Sequence, residues 1–120
     1  MNKTTKKATG KTTKNDIYVV SWAEYDDNNN SMTSGTFMDI YSSYEKARKA
    51  VDECIDETVR DDMFSFDEDE YEDVYGAATF EDIRRKFIAE DRHDYIKVVN
   101  CSTSVECQYI ITHYSTKYVK

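Results

Sequence analysis

The chain contains no proline and only three glycines, Gly10, Gly35 and Gly76. Without proline, no proline-rich linker divides it, and glycines so dispersed cannot form the Gly-rich loop of either common nucleotide-binding motif. Histidine is scarcer still, with only His93 and His113. No apolar run approaches the roughly 18 residues that a membrane-crossing helix needs. The three cysteines, Cys54, Cys101 and Cys107, form no paired metal motif, and an odd count suits reduced thiols. The opening Met1-Asn2-Lys3-Thr4-Thr5-Lys6 is basic with no apolar segment behind it, so it does not read as a secretion signal. These absences point to a cytoplasmic protein, in which the sequons at Asn2, Asn29 and Asn100 stay bare.

What is present fits one domain. The 120 residues are 39% hydrophobic and 33% charged, too apolar for wholesale disorder and more charged than an average domain. Ten tyrosines suit half-buried strands and contact surfaces. Charge divides unevenly. Residues 1–14 carry Lys3, Lys6, Lys7, Lys11 and Lys14 and no acid, whereas the whole chain is at −8, so residues 15–120 carry −13. With no large apolar side chain before Ile17, residues 1–14 read as a disordered basic tail and residues 15–120 as a single acidic domain.

Ile17 to Tyr25 is β-branched and aromatic, which predicts a strand. The polar cluster Asp26 to Ser31 predicts a turn, and Thr36 to Tyr41, entered through Gly35, a second strand. Ser42-Ser43-Tyr44-Glu45 has the form of a capping box, with Ser42 as N-cap and Glu45 at the third helical position. The helix it opens runs to about Arg60, with Ala47, Ala50, Val51, Cys54, Thr58 and Val59 on its buried face. A second helix starts at Thr79-Phe80-Glu81-Asp82 and ends near Asp91. It gathers Phe80, Ile83, Phe87 and Ile88 on one side. Tyr95 to Asn100 and Val105 to Tyr114 predict two more strands around a Ser102-Thr103-Ser104 turn. The expected fold class is α+β, an antiparallel sheet of about four strands in the order β-β-α-α-β-β, with helices on one face. The expected core is Ile17, Val19, Phe37, Val51, Phe87, Ile96, Val98 and Ile110.

Residues 17–57, with their opening strand, Gly35-Thr36-Phe37 and Ser42-Ser43-Tyr44-Glu45-Lys46-Ala47, resemble small uncharacterised phage and bacterial proteins in which a β-hairpin feeds a capped helix. The resemblance implies a fold and a mobile-element origin, with the host cytoplasm as location. It implies no activity.

The residues argue against chemistry. Asp26-x-Asn28-x-Asn30 begins like a calcium loop, but Ser31 replaces the glycine of the sixth position and Phe37 the glutamate of the twelfth. His93 reads as a helix-end residue, and His113 as a structural histidine sharing a strand face with Tyr109 and Ile111. Cys101 and Cys107 flank the last turn and read as free thiols. No enzyme activity, metal or cofactor is expected.

The segment 61–75 stands out. Acids at 61, 62, 67, 68, 69, 70, 72 and 73 fill eight of its fifteen positions, interleaved with Met63, Phe64, Phe66, Tyr71, Val74 and Tyr75. It reads as an irregular excursion pinned by its aromatics. Rows of carboxylates can imitate phosphates and occupy the basic groove of a nucleic-acid-binding protein. The candidate binding residues are Asp67, Glu68, Asp69, Glu70, Tyr71, Glu72 and Asp73, with Phe64, Tyr71 and Tyr75 as anchors. The expected function is a non-enzymatic modulator or inhibitor acting on a protein with a basic surface, away from membranes. The alternative is a nucleic-acid- or virion-associated protein working through the lysine tail, by counterion release. Direct nucleic-acid binding by the body is disfavoured, since its −13 repels a polyanion.

Overall fold

A computed structural model describes residues 16–115. The basic tail, expected at residues 1–14, lies outside them. Five strands form one antiparallel sheet in the order β2-β1-β5-β4-β3. The strands are β1 Asp16–Tyr25, β2 Ser31–Thr36, β3 Ile88–Asp91, β4 Tyr95–Val99 and β5 Glu106–Ser115. The helices are α1 Tyr44–Met63, α2 Tyr71–Tyr75 and α3 Phe80–Phe87, with a 3₁₀ turn at Glu68–Glu70. No helix among the described residues is long and apolar enough to cross a membrane.

The α+β class holds, and the strand count rises from about four to five. The extra strand is β3. Thr79 caps α3, its hydroxyl accepting from the Asp82 N–H at 3.2 Å. The helix then stops at Phe87 rather than near Asp91, because Ile88 turns to extended backbone (φ −81°, ψ 107°) and Ile88–Asp91 pairs with β4.

Strand β2 also shifts. It occupies Ser31–Thr36, not Thr36–Tyr41, because the preceding turn is tight. The Asp26 carboxylate accepts from the N–H groups of Asn28 (2.9 Å) and Asn30 (2.8 Å), and Asn29 takes the left-handed conformation at φ 64°. The Asn30 N–H in particular holds the Asp26 carboxyl below its ordinary range. Residues 37–41 stay beside β1 with interrupted pairing, through Phe37 N–H to Val20 O and a two-way bridge between Tyr18 and Tyr41.

Helix α1 is capped one residue later than the sequence suggests. Ser43, in extended backbone, accepts from the Lys46 N–H at 3.2 Å, so the predicted Ser42–Glu45 box does not form. The helix also runs past Arg60 to Met63. Ala47, Val51, Ile55 and Val59, each four residues apart, are fully buried. Ala50, Cys54 and Thr58, placed on the buried face by periodicity, lie at its half-buried border.

The core lies between the helices and one face of the sheet. That face carries Tyr18, Val20 and Trp22 of β1, Ile96 and Val98 of β4, and Cys107, Tyr109 and Ile111 of β5. Val51, Phe87, Ile96 and Val98 are core residues as expected, and Phe37 packs at the margin. Ile17, Val19 and Ile110 are not. They occupy the opposite face, where Ile17 and Val19 are half-buried and Ile110 is 42% exposed. The cause is an unbroken apolar run: with period two, Ile17/Val19 and Tyr18/Val20 make equally good faces, and packing selects the second.

Candidate functional site

The acidic segment is more regular than an excursion. After α1 ends, Phe64 and Ser65 turn back through backbone bonds to Arg60 and Asp62. The chain then enters the 3₁₀ turn. There the Glu70 side chain accepts from the Asp67 N–H at 2.8 Å, leaving Glu70 one carboxylate oxygen for solvent. α2 follows directly and ends at Gly76, which adopts φ 71°, a conformation that favours glycine.

Aromatic rings anchor this segment. Tyr75 is 5% exposed and touches three other rings: Phe66 edge-on at 5.9 Å, Tyr71 at 6.1 Å and Phe87 at 6.2 Å between centroids. Its hydroxyl donates to Asp62 at 2.7 Å. Burial, aided by that carboxylate, raises its pKa well above the ordinary 10.0. Tyr75 is therefore a structural rivet and not an exposed anchor.

The carboxylates of the same segment lie in solvent. Asp67, Glu68, Asp69, Glu70, Glu72 and Asp73 are all exposed, and among the described residues none forms an ion pair with Lys, Arg or His. Beside them, Phe64 is 85% exposed. Phe64, Met63, Tyr71 and Phe80 line a shallow groove of about 130 Å³, closed at one end by Arg60, whose guanidinium sits 5.0 Å above the Phe80 ring. The candidate site thus combines an apolar groove that Phe64 lines with six exposed carboxylates of the same chain segment, none paired with a cation among the described residues.

Two further clusters escaped sequence reading. His93, expected at a helix end, lies in the β3–β4 turn and stacks on Tyr44 at 3.8 Å. His113 stacks on Tyr18 at 4.7 Å and meets Asp16 at 3.0 Å. Both histidines line one cavity of about 240 Å³. No group of three or more His, Cys, Asp or Glu among the described residues is arranged to hold a metal. The second cluster joins Cys54 of α1 to Cys107 and Tyr109 of β5, with Trp22, Glu24 and Phe37. Cys101 lies apart in the exposed turn, so the two cysteines of the last hairpin do not face each other as a pair; all three thiols are free. Strand register sets Tyr18 beside His113 and Trp22 beside Tyr109, while Tyr44 and Cys54 reach these clusters through the packing of α1.

No family model, curated protein or solved structure matches the chain.

Proposed function

We propose that the protein is a non-enzymatic binding module that engages a basic surface of another protein through its 3₁₀ turn, α2 and the adjoining groove. The observation that carries this reading is the row Asp67–Asp73: six exposed carboxylates in seven residues, left without cationic partners among the described residues, next to an exposed phenylalanine. Like charges held together repel, and a partner cation relieves that repulsion. A nucleic-acid-binding protein supplies such a surface, with the carboxylates in place of phosphates and Phe64 and Tyr71 as apolar anchors. The role is that of a modulator or inhibitor.

The test is affinity capture from the host, followed by association kinetics at two salt concentrations. Neutralising Asp67, Glu68, Asp69 and Glu70 together to Asn and Gln should slow association and flatten its salt dependence. Phe64→Ala should chiefly speed dissociation. Unchanged binding in both variants removes this surface from the function. Loss of binding on deleting residues 1–14 instead moves it to the lysine-rich tail.

A further inference from the structure

On the helix-facing side of the sheet, Trp22 pairs across the strands with Tyr109, and Glu24 with Cys107. These four side chains make a two-by-two patch. α1 bounds it through Cys54, whose Sγ lies 3.6 Å from the Tyr109 hydroxyl. Phe37 closes one flank, its ring edge-on to Tyr109 at 6.3 Å. Gly35, paired with Trp22 on β2, leaves room for the indole: a Cβ at position 35 would stand 3.1 Å from its Cζ2. The result is a cavity of about 290 Å³ lined by three aromatic residues, two cysteines, Thr58 and Glu24, with no basic side chain in its lining.

Glu24 makes this more than a packing defect. It is half-buried, it lines the cavity, and among the described residues its carboxylate forms neither a hydrogen bond nor an ion pair. Its carboxylate thus sets an unpartnered negative charge at the cavity wall, where a cation in the cavity would meet it. The Cys107 thiol does not compete for the role of anion, since burial pushes it up to about 11. The walls decide which cation. Aromatic rings attract positive charge over their faces, and they favour one whose charge is clothed in methyl groups, because it surrenders little hydration on entering. A small metal ion or free ammonium would keep its water.

We propose that this cavity binds an alkylammonium headgroup, with Trp22, Phe37 and Tyr109 as the aromatic enclosure and Glu24 as the counter-charge. The site is independent of the acidic surface at 67–73, and each can fail without the other. The headgroup belongs either to a free small molecule or to a methylated lysine presented by a protein; the chemistry at the cavity is the same.

Trp22 is the only tryptophan, so its fluorescence reads the site directly. Titration with choline chloride should give a saturable change that sodium chloride at equal ionic strength does not. The neutral isostere 3,3-dimethylbutan-1-ol should bind about tenfold more weakly. Glu24→Gln, with folding checked by circular dichroism, should erase that preference. A short glycine-serine peptide carrying one trimethyl-lysine separates the two sources: tighter binding than choline points to a protein-borne headgroup, and equal or weaker binding to a free one. No saturable response in the wild-type protein overturns the proposal, and so does equal affinity for choline and its neutral isostere.

Discussion

Two acidic regions lie side by side along this chain and meet opposite fates. On α1, Asp52 and Asp56 are drawn into a network. Arg48 bridges Asp52 (3.3 Å) and Asp91 (2.9 Å), while Arg84 of α3 reaches Asp52 (3.3 Å) and binds Asp56. Asp62, at the end of the same helix, accepts from Tyr75, Asn100 and Ser102. A few residues on, Asp67 to Asp73 receive no cation at all among the described residues. Arg48 and Arg84 are committed to joining helices to each other and to the sheet, while Arg85 and Arg92 pair locally with Asp82 and Glu90. On α1, Asp52, Asp56 and Asp62 serve as cement; in the next segment six carboxylates within seven residues find no cation among the described residues, which is the ground for the proposed binding surface.

If that contrast is real, the largest stability change should come from the cement, and first from Asp62. It is the one carboxylate that ties α1 to both α2 and the β4–β5 turn, through Tyr75 (2.7 Å), Asn100 (3.1 Å) and Ser102 (2.8 Å). Asp62→Ala removes the acceptor of three donors, and although Ser102 can turn to Asn100 Oδ1 at 2.9 Å, the hydroxyl of the buried Tyr75 loses its partner. It should cost about 2–3 kcal/mol in chemical denaturation. A loss below about 0.5 kcal/mol would put Asp62 in the same class as Asp67 and dissolve the distinction.

Tyr75 comes next. Tyr75→Phe keeps the buried ring and removes only the bond to Asp62, so about 1–1.5 kcal/mol should be lost near neutral pH. The variant also changes the pH profile. The folded phenol ionises above its ordinary value of 10.0, held up by burial and by Asp62. A group whose pKa is raised by folding stabilises fully below its unfolded value, and that contribution fades as pH climbs past it. Cys107, raised by burial from 9.0 to about 11, starts the decline, and Tyr75 and Tyr109 extend it upward. Thermal melts should therefore show a falling midpoint from about pH 9 onward, less steep above pH 10 in Tyr75→Phe. A midpoint flat to pH 11 would contradict the burial of these groups.

The same physics explains what the sequence could and could not reveal. α1 was readable because Ala47, Val51 and Val59 repeat with helical period over a long stretch, long enough to survive an error of one residue at Ser42/Ser43. β3 was not, because four residues continuing the apolar pattern of α3 give period two no room to declare itself. The choice of sheet face failed where Ile17 to Val20 are all apolar, and there only the packing of the other layer decides. At the candidate site the excess of acid was plain in composition. The burial of Tyr75 was not, since Tyr71 and Tyr75 look alike until Phe87 and Asp62 arrive from elsewhere in the chain. Clusters such as Trp22, Glu24, Cys107 and Tyr109 exist only through the β1–β5 register.

The ion pairs between helices should matter less than Asp62, because they are partly solvated. Arg84 is 25% exposed in its side chain and Asp52 41%, so screening by water reduces what the geometry suggests. Arg84→Met keeps the aliphatic stem and removes the bridge from α3 to Asp52 and Asp56. A loss of about 1 kcal/mol is expected, shrinking as salt is added. A double-mutant cycle with Asp56→Asn isolates the pair and should return a coupling of about 0.5–1 kcal/mol. A coupling of zero would leave α1 and α3 joined by Ile83, Phe87 and their apolar neighbours alone.

The smallest effect should fall where charge is densest. Replacing Asp67, Glu68, Asp69 and Glu70 by Asn and Gln removes four of the six exposed carboxylates between 67 and 73. The one internal bond among them, from the Asp67 N–H to the Glu70 side chain at 2.8 Å, survives, since glutamine offers the same oxygen. No cation among the described residues loses a partner. Only two contributions remain, relief of mutual repulsion and a slight loss of favourable charge near the start of α2, and they oppose each other. Stability should therefore stay within about 0.5 kcal/mol of the parent, with any gain appearing at low salt and vanishing as screening grows. A loss of more than about 1 kcal/mol would mean that these carboxylates are held by cations of this same chain, with the lysines of residues 1–14 the first to examine by truncation. The segment would then be cement after all, and the contrast with α1 would disappear.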